Sequence, residues 1–277
     1  MMQLPTAAVL GYPIKQSLSP PMHNYWLQTM GIPGMYLPME IKPDDLKDVL
    51  LAMPKLGFVG CNLTIPHKEA AMALVQDISE TAKAIGAVNT LQFNSDETIY
   101  ATNTDAEGFL QNLKYHHHDL SRFKQQALVI GAGGASRAII YALQQEGFQK
   151  ILIANRTRSR ADALAEHFGV PCETLDWAET EAAMAETTLL VNTSSLGMGD
   201  DAPWPFALDA LPKDALVTDI VYKPLMTGLL KAADARGNPI VTGVGMLAHQ
   251  GVPGFELWFG ARPHVDEDVL SLLEASL

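Results

Sequence analysis

Short runs rich in Val, Ile and Leu alternate with helix-length amphipathic segments from one end of the chain to the other, the pattern of α/β proteins built on mostly parallel sheets. In the first part it predicts a strand through Ala7 to Tyr12, a helix after Ser19, a strand near Met35 to Ile41, a helix after Pro43 and a strand near Phe58 to Thr64. Helices follow after Pro66 and Ser79, then a strand pair at Thr90 to Phe93 and Thr98 to Ala101. From Asp105 the register changes. One long helix leads into QALVIGAGGASRAIIYAL, where a short apolar strand, a glycine turn and a helix follow in immediate succession. Further strands are predicted at KILIANR, TLLVNTS, ALVTDIVY and PIVTG, each separated by a helical segment, as in a doubly wound sheet. GMLAHQGVPGFELWFG and the stretch from Asp268 to Leu277 read as helices. The second sheet is complete by Gly243, so these helices are expected to pack back on the first domain. The expectation is a discontinuous domain of residues 1–104 and 245–277 with a second domain of residues 105–244 inserted into it, and a cleft between them.

At 277 residues and 48% hydrophobic content the length suits two domains of ordinary size. The balance of 31 Asp plus Glu against 19 Lys plus Arg, formally −12, repels nucleic acid and anionic membrane surfaces. An anionic ligand must therefore be held by a local cluster of donors. No apolar run approaches the roughly 20 residues that span a bilayer. The start MMQLPTAAVLGYP lacks the basic flank and cleavage pattern of a signal peptide, so a cytoplasmic protein is expected. Cys61 and Cys172 have neither metal-ligand spacing nor the look of a disulfide framework, and both read as small core residues.

The glycine turn carries the first chemistry. In VIGAGGASR, Gly131 and Gly133 follow a strand and open a helix, as a dinucleotide fingerprint requires. Gly131 permits the tight turn, Gly133 lets the backbone approach a pyrophosphate, and the helix N-terminus offers unpaired N–H groups. Residues 105–244 thus read as a Rossmann-type domain. Ser136 replaces the third glycine of the fingerprint, which predicts slightly wider helix–strand spacing there. At the end of KILIANR, where an NAD-binding domain places an acidic side chain, stands Asn155, followed by Arg156, Thr157 and Arg160. A carboxylate would repel a 2′-phosphate, whereas a guanidinium beside amide and hydroxyl donors accommodates it, so NADP(H) is favoured over NAD. Arg156, Arg158 and Arg160 lie where a helix begins and cations are disfavoured. Three of them there call for an anion.

Four segments outside that domain concentrate polar groups at strand ends: GYPIKQSLSP, CNLTIPHKE, GAVNT and TNTDAEG. Such positions face the crevice where α/β proteins bind ligands. Each has a purely structural alternative. Ser19 before two prolines suits a helix N-cap and Ser17 a turn. Lys68 could be a surface lysine, Asp105 an N-cap, and Asn89 the closure of a turn.

Taken together, the segments resemble the shikimate dehydrogenase family over nearly the whole chain. The resemblance rests on Ser17-Leu18-Ser19-Pro20; on Asn62, Thr64, Pro66 and Lys68; on Gly86 to Thr90; on Asn103 to Asp105; on Gly131 to Arg137; and on Asn155 to Thr157. It continues through NTSSLGM, DIVYKP and Gly243 to Gln250. It implies reversible reduction of 3-dehydroshikimate to shikimate by NADPH in aromatic amino-acid biosynthesis. Ser17 and Ser19, helped by Tyr222, would hold the substrate carboxylate. Asn62, Thr64, Asn89 and Gln250 would bond ring hydroxyls, and Lys68 and Asp105 would be the catalytic pair. The cofactor would lie against Gly131, Ala132, Gly133, Gly134, Ala135, Asn155, Arg156, Thr157, Arg160, Thr193, Ser194, Gly197, Met198, Ile220, Gly243 and Met246. The chemistry agrees: hydride delivery to a ketone leaves an alkoxide, which needs a proton from a positioned acid. A lysine beside a carboxylate can supply it.

Two residues depart from the family pattern: Gln16 stands where His is usual, and Lys223 where Asn is common. His116 to His118 cannot all converge on one metal ion from a regular helix and read as a solvated end. Other readings are a quinate-preferring relative using NAD, a methylenetetrahydrofolate dehydrogenase of similar architecture, and an inactive metabolite or cofactor sensor. The serine pair with Lys68 and Asp105 argues against the second, and the presence of both catalytic groups against the third. The expected partner is the small substrate, with no nucleic acid and no membrane, for a monomer or homodimer.

Overall fold

In the computed structural model, which describes residues 4–199 and 204–277, the chain divides into two compact units. One holds the residues up to Gly108 together with Leu247–Ser276, and the other holds Phe109–Met246. The elements of the first unit are β1 (Thr6–Gly11), α1 (Ser19–Thr29), β2 (Met35–Glu40), α2 (Leu46–Ala52), β3 (Phe58–Leu63), α3 (His67–Ala70), β4 (Asp77–Ile78), α4 (Glu80–Ile85), β5 (Thr90–Phe93) and β6 (Ile99–Thr102). Helix α5 (Asp105–His116) begins in this unit and ends in the other.

The six strands of the first sheet run in the order β2-β1-β3-β5-β6-β4. Strands β1, β2 and β3 are parallel, but β5 pairs antiparallel with both β3 and β6. The sheet is therefore mixed. The turn Asn94–Thr98 is too short for a crossover and forces β5 and β6 antiparallel. Both faces are covered, as the unbroken apolar run of β1 requires. Ala8 and Leu10 pack with Leu46, Leu50, Met53 and Leu91 on one face. Ala7 and Val9 pack with Tyr36 and Trp258 on the other.

The second unit contains β7 (Gln126–Ile130), α6 (Gly134–Glu146), β8 (Lys150–Ala154), α7 (Arg158–Phe168), β9 (Cys172–Leu175), α8 (Thr180–Ala183), β10 (Leu189–Asn192), β11 (Leu216–Asp219), α9 (Gly228–Arg236) and β12 (Ile240–Val241). All pairs in its sheet are parallel, in the order β12-β11-β10-β7-β8-β9. The chain winds outward through β8 and β9, returns to β10 beside β7, and winds out the other way. The carboxyl ends of β7 and β10 thus flank the switch point, where doubly wound sheets open a crevice. Two details depart from the sequence expectation. Strand β9 carries no apolar run and is partly exposed at the sheet edge, which makes Cys172 half-buried rather than a core residue. Between β10 and β11 no helix occurs among the described residues.

Helix α10 (Val244–Phe259) carries the chain back, and α11 (Glu267–Ala275) follows. Trp258 of α10 donates its indole N–H to the Leu91 carbonyl at 2.9 Å, fastening the helix to the first sheet. The units divide inside α5, between Gly108 and Phe109, rather than at Asp105. No helix of the described residues is long and apolar enough to cross a membrane.

Candidate active site

Backbone pairing in the first unit brings the polar segments together. The Leu63 amide donates to the Asn89 carbonyl at 2.8 Å, the Val88 amide to the Lys68 carbonyl at 2.9 Å, and the Asn89 amide to the Thr102 carbonyl at 3.0 Å. Helix α3 is thereby pinned beside the start of α5. Lys68 Nζ lies 2.5 Å from Asp105 Oδ2, with both side chains largely buried. The other carboxylate oxygen, Oδ1, accepts from Asn89 Nδ2 at 2.9 Å. Asp105 caps no helix: it is the first residue of α5, its own amide donates to Asn103 Oδ1 at 3.0 Å, and its carboxylate faces Lys68 and Asn89. Lys68 is likewise no surface lysine. One of its three hydrogens is directed at Asp105, and two remain to be donated.

Asn89, 1% exposed, closes the strand-to-helix turn and also positions Asp105. Its Oδ1 accepts from the Thr104 amide at 2.8 Å and the Thr90 hydroxyl at 2.9 Å, and its Nδ2 reaches Asp105, Thr104 Oγ1 and Gln250 Oε1. Gln250 comes this close because Gly108 has no side chain: a Cβ there would sit 2.6 Å from the Cβ of Gln250. Asn62 belongs to the same network. It is 4% exposed, both its N–H groups are directed at the Asn89 carbonyl and Thr90 Oγ1, and its Oδ1 accepts from the Tyr36 hydroxyl at 2.6 Å. Both of its amide hydrogens are thus engaged inside the network, as are those of Asn89, and its Oδ1 keeps one acceptor position. Thr64 is half-buried and its hydroxyl has no partner among the described residues.

Ser17 accepts from the Ser19 amide at 3.3 Å, which leaves its own O–H free to donate. Ser19 is not an N-cap; Leu18 holds that place without a side-chain bond, and the buried Ser19 hydroxyl lies against the Tyr36 phenol. Gln16 is exposed. Tyr36, Asn103, Thr90 and Thr104 complete the network. Asn103, Thr90 and Thr104 lie inside the family-like segments, whereas Tyr36 reads as an ordinary strand residue.

In the second unit, Gly131 takes a φ of 120°, and a Cβ there would stand 2.7 Å from Thr193 Oγ1, so only glycine serves. At Gly133 a Cβ would meet nothing within 4 Å. This residue precedes α6 and is exposed, leaving open the approach to the helix N-terminus that a pyrophosphate needs. Ala132, Gly134 and Ala135 are half-buried around the same turn. Ser136 does not wedge helix from sheet. It is fully buried, and its hydroxyl accepts from the Gly133 amide at 3.0 Å and meets Thr193 Oγ1 at 2.7 Å. These residues fit a dinucleotide.

Asn155 Nδ2 donates to the Thr157 carbonyl at 2.9 Å and shapes the loop before α7. Arg156 and Arg160 are exposed and make no ion pair among the described residues. Arg158 differs: it pairs with Asp162 at 3.0 Å and with Asp176, so two guanidiniums of the stretch, rather than three, lack an ion-pair partner among the described residues. Thr193 and Ser194 follow β10, with Gly197 at a φ of 80° and Met198 exposed. Ile220 and Gly243 adjoin, since a Cβ on Gly243 would lie 2.7 Å from the Ile220 carbonyl, and Met246 is buried in α10. Tyr222 is half-buried, and burial raises its phenol above the ordinary tyrosine range. His116 lies edge-on to Tyr115 and His117 to Phe123, and among the described residues no cluster of three or more His, Cys, Asp or Glu could hold a metal.

Comparison with known proteins covers both units. A family profile described as Shikimate dehydrogenase substrate binding domain matches residues 9–91, one described as Shikimate / quinate 5-dehydrogenase matches residues 114–196, and one described as Shikimate 5′-dehydrogenase C-terminal domain matches residues 243–267. A shikimate dehydrogenase (NADP(+)) of Cereibacter sphaeroides is 48% identical over 99% of this chain and 99% of its own. The crystal structure of shikimate 5-dehydrogenase from Thermus thermophilus, in complex with NADP(H) and shikimate, superposes with a TM-score of 0.89 at 38% identity, over 99% of this chain and 100% of that one. Quinate dehydrogenase from Corynebacterium glutamicum, in complex with NAD, also superposes with a TM-score of 0.89, at 31% identity over 99% of this chain and 98% of that one.

Proposed function

The chain belongs to the shikimate dehydrogenase family, and from that premise we propose that it catalyses the reversible NADPH-dependent reduction of 3-dehydroshikimate to shikimate, on the route to chorismate. The observation that carries this reading is the Lys68–Asp105 pair, 2.5 Å apart and buried, with Asn89 on the second carboxylate oxygen. When bound, NADPH supplies the hydride. Lys68 donates a proton to the ketone oxygen as negative charge builds there, and takes one from the hydroxyl in the reverse direction. Asp105 holds the ammonium in place. Asn62, Thr64, Asn89 and Gln250 contact the ring hydroxyls. Ser17 and Ser19, with Tyr222, hold the carboxylate. The unit that contains Lys68 and Asp105 is the substrate domain, and Phe109–Met246 takes NADP(H), its pyrophosphate at Gly131–Ala135 and its 2′-phosphate at Arg156 and Arg160. The acidic balance and two free thiols suit a cytoplasmic enzyme, monomer or homodimer, acting on small molecules.

Initial rates with shikimate and with quinate, each against NADP and NAD, test the proposal. The highest kcat/KM is expected for shikimate with NADP. Faster turnover of quinate with NAD would favour the second reading, which the likeness to the quinate dehydrogenase motivates. No activity in any of the four pairings would leave a binding protein. The carboxylate assignment has its own check: the double change Ser17→Ala with Ser19→Ala should raise the KM for shikimate by about tenfold or more, the scale of one hydrogen bond to a charged group. NADP affinity should stay nearly intact. An unchanged KM with lowered thermal stability would return both serines to turn roles.

A further inference from the structure

Asp219, at the end of β11, is 1% exposed and pairs with no cation among the described residues. Its carboxylate instead gathers three uncharged donors. Oδ1 accepts from Asn192 Nδ2 at 3.0 Å and from the Val221 amide at 2.9 Å, and Oδ2 from the Thr227 hydroxyl at 2.7 Å. Asn192 extends the network: its Oδ1 accepts from the Ser194 amide at 3.1 Å and hydroxyl at 2.7 Å, and its Nδ2 also donates to the Leu196 carbonyl at 2.9 Å. Thr227 caps α9, and a Cβ on Gly197 would lie only 3.3 Å from the Cβ of Thr227. One side chain thus ties the segment after β10, with Thr193, Ser194, Gly197 and Met198, to the segment after β11, with Ile220 and Tyr222.

We propose that Asp219 is a positioning residue that holds these two segments in one arrangement, and through them sets Tyr222 and the cofactor-facing loop. The proposal rests on the functional reading given above for those residues. A buried charge without a counter-charge is costly, and burial pushes the Asp219 carboxyl up to about 6. The groups facing it, Asn192 from β10, the Val221 amide and Thr227 at the start of α9, do not titrate. Only the ionised form accepts from all three at full strength. Protonation turns one acceptor position into a donor, as does Asp219→Asn, whose Oδ1 can keep Asn192 and Val221 while its Nδ2 faces the Thr227 oxygen. The Asn variant therefore imitates the protonated enzyme and should fold.

The test is steady-state kinetics and thermal melting of Asp219→Asn, Asp219→Ala and Tyr222→Phe between pH 5 and 8. At pH 8, Asp219→Asn should raise the KM for NADPH and for the shikimate pair about fivefold, the difference between neutral and charge-assisted hydrogen bonding, with kcat within about threefold of wild type. The wild-type KM is expected to rise on acidification through about pH 6, and that of Asp219→Asn should lack the rise. Because the native carboxyl lies above its ordinary value, the wild type loses stability as pH rises through about 6. The Asn variant lacks that loss, so its melting temperature should gain on the wild type over the same interval while its KM stays higher. Asp219→Ala should raise both KM values further where it folds. If Tyr222→Phe raises the shikimate KM but Asp219→Asn leaves both KM values and their pH dependence unchanged, the positioning role is overturned. If Tyr222→Phe has no effect while Asp219→Asn still raises the NADPH KM, the carboxylate role of Tyr222 fails and that of Asp219 stands.

Discussion

Replacing Lys68 with Ala is expected to cut turnover about 10²–10⁴-fold, the usual contribution of general acid–base catalysis, while the protein folds and binds NADPH as before. Lys68 sits on the short helix α3, and none of the three hydrophobic clusters includes it, so its truncation leaves the packed cores intact. Asp105→Asn should also cripple turnover. Its Oδ1 could still accept from Asn89, but an amide in place of Oδ2 would point N–H groups at the ammonium 2.5 Å away. Since the two groups act as a unit, the double variant should be little worse than the poorer single one. Steady-state kcat with NADPH titrations decides the matter. Near-normal turnover in Lys68→Ala would overturn the assignment, and fully multiplicative losses would mean independent roles.

Arg156→Ala should weaken NADP more than NAD by about 1.5–3 kcal/mol, the scale of a charge-assisted hydrogen bond. That is roughly a 10- to 150-fold change in selectivity. Arg156 and Arg160 follow a strand end with no acidic side chain, and neither makes an ion pair among the described residues. Arg158 provides the internal comparison. Its guanidinium is already held by Asp162 and Asp176, so Arg158→Ala should discriminate far less between the cofactors. Dissociation constants of both dinucleotides for the two variants are the measurement. Equal weakening of NADP and NAD by Arg156→Ala would remove its phosphate role.

The difference between Arg156 and Arg158 illustrates what a linear reading cannot see. Both stand in one arginine-rich stretch, but Asp176 lies 18 residues on and meets Arg158 only because β9 pairs with β8. Strand β9 leaves no periodic signal in the sequence, because an edge strand need not bury both faces and CETL carries no apolar run. Asn62 and Thr64 look equivalent in sequence. In the fold one uses both N–H groups inside the network, and the other keeps a hydroxyl without a partner among the described residues.

Read along the chain alone, the strand and helix periodicity, the glycine turn after β7, the lack of an acidic side chain at Asn155 and the presence of Lys68 and Asp105 are all legible. All of these follow from side-chain chemistry over short spans or from motif order along the chain. Folding in three dimensions is what sets which donors remain free, makes the first sheet mixed, has Ser136 bond the glycine turn rather than spread it, and lets Asp219 join two separate segments. Those outcomes depend on contacts between residues far apart in sequence, where burial forces each polar group to find a partner, and no local pattern specifies which partner that is.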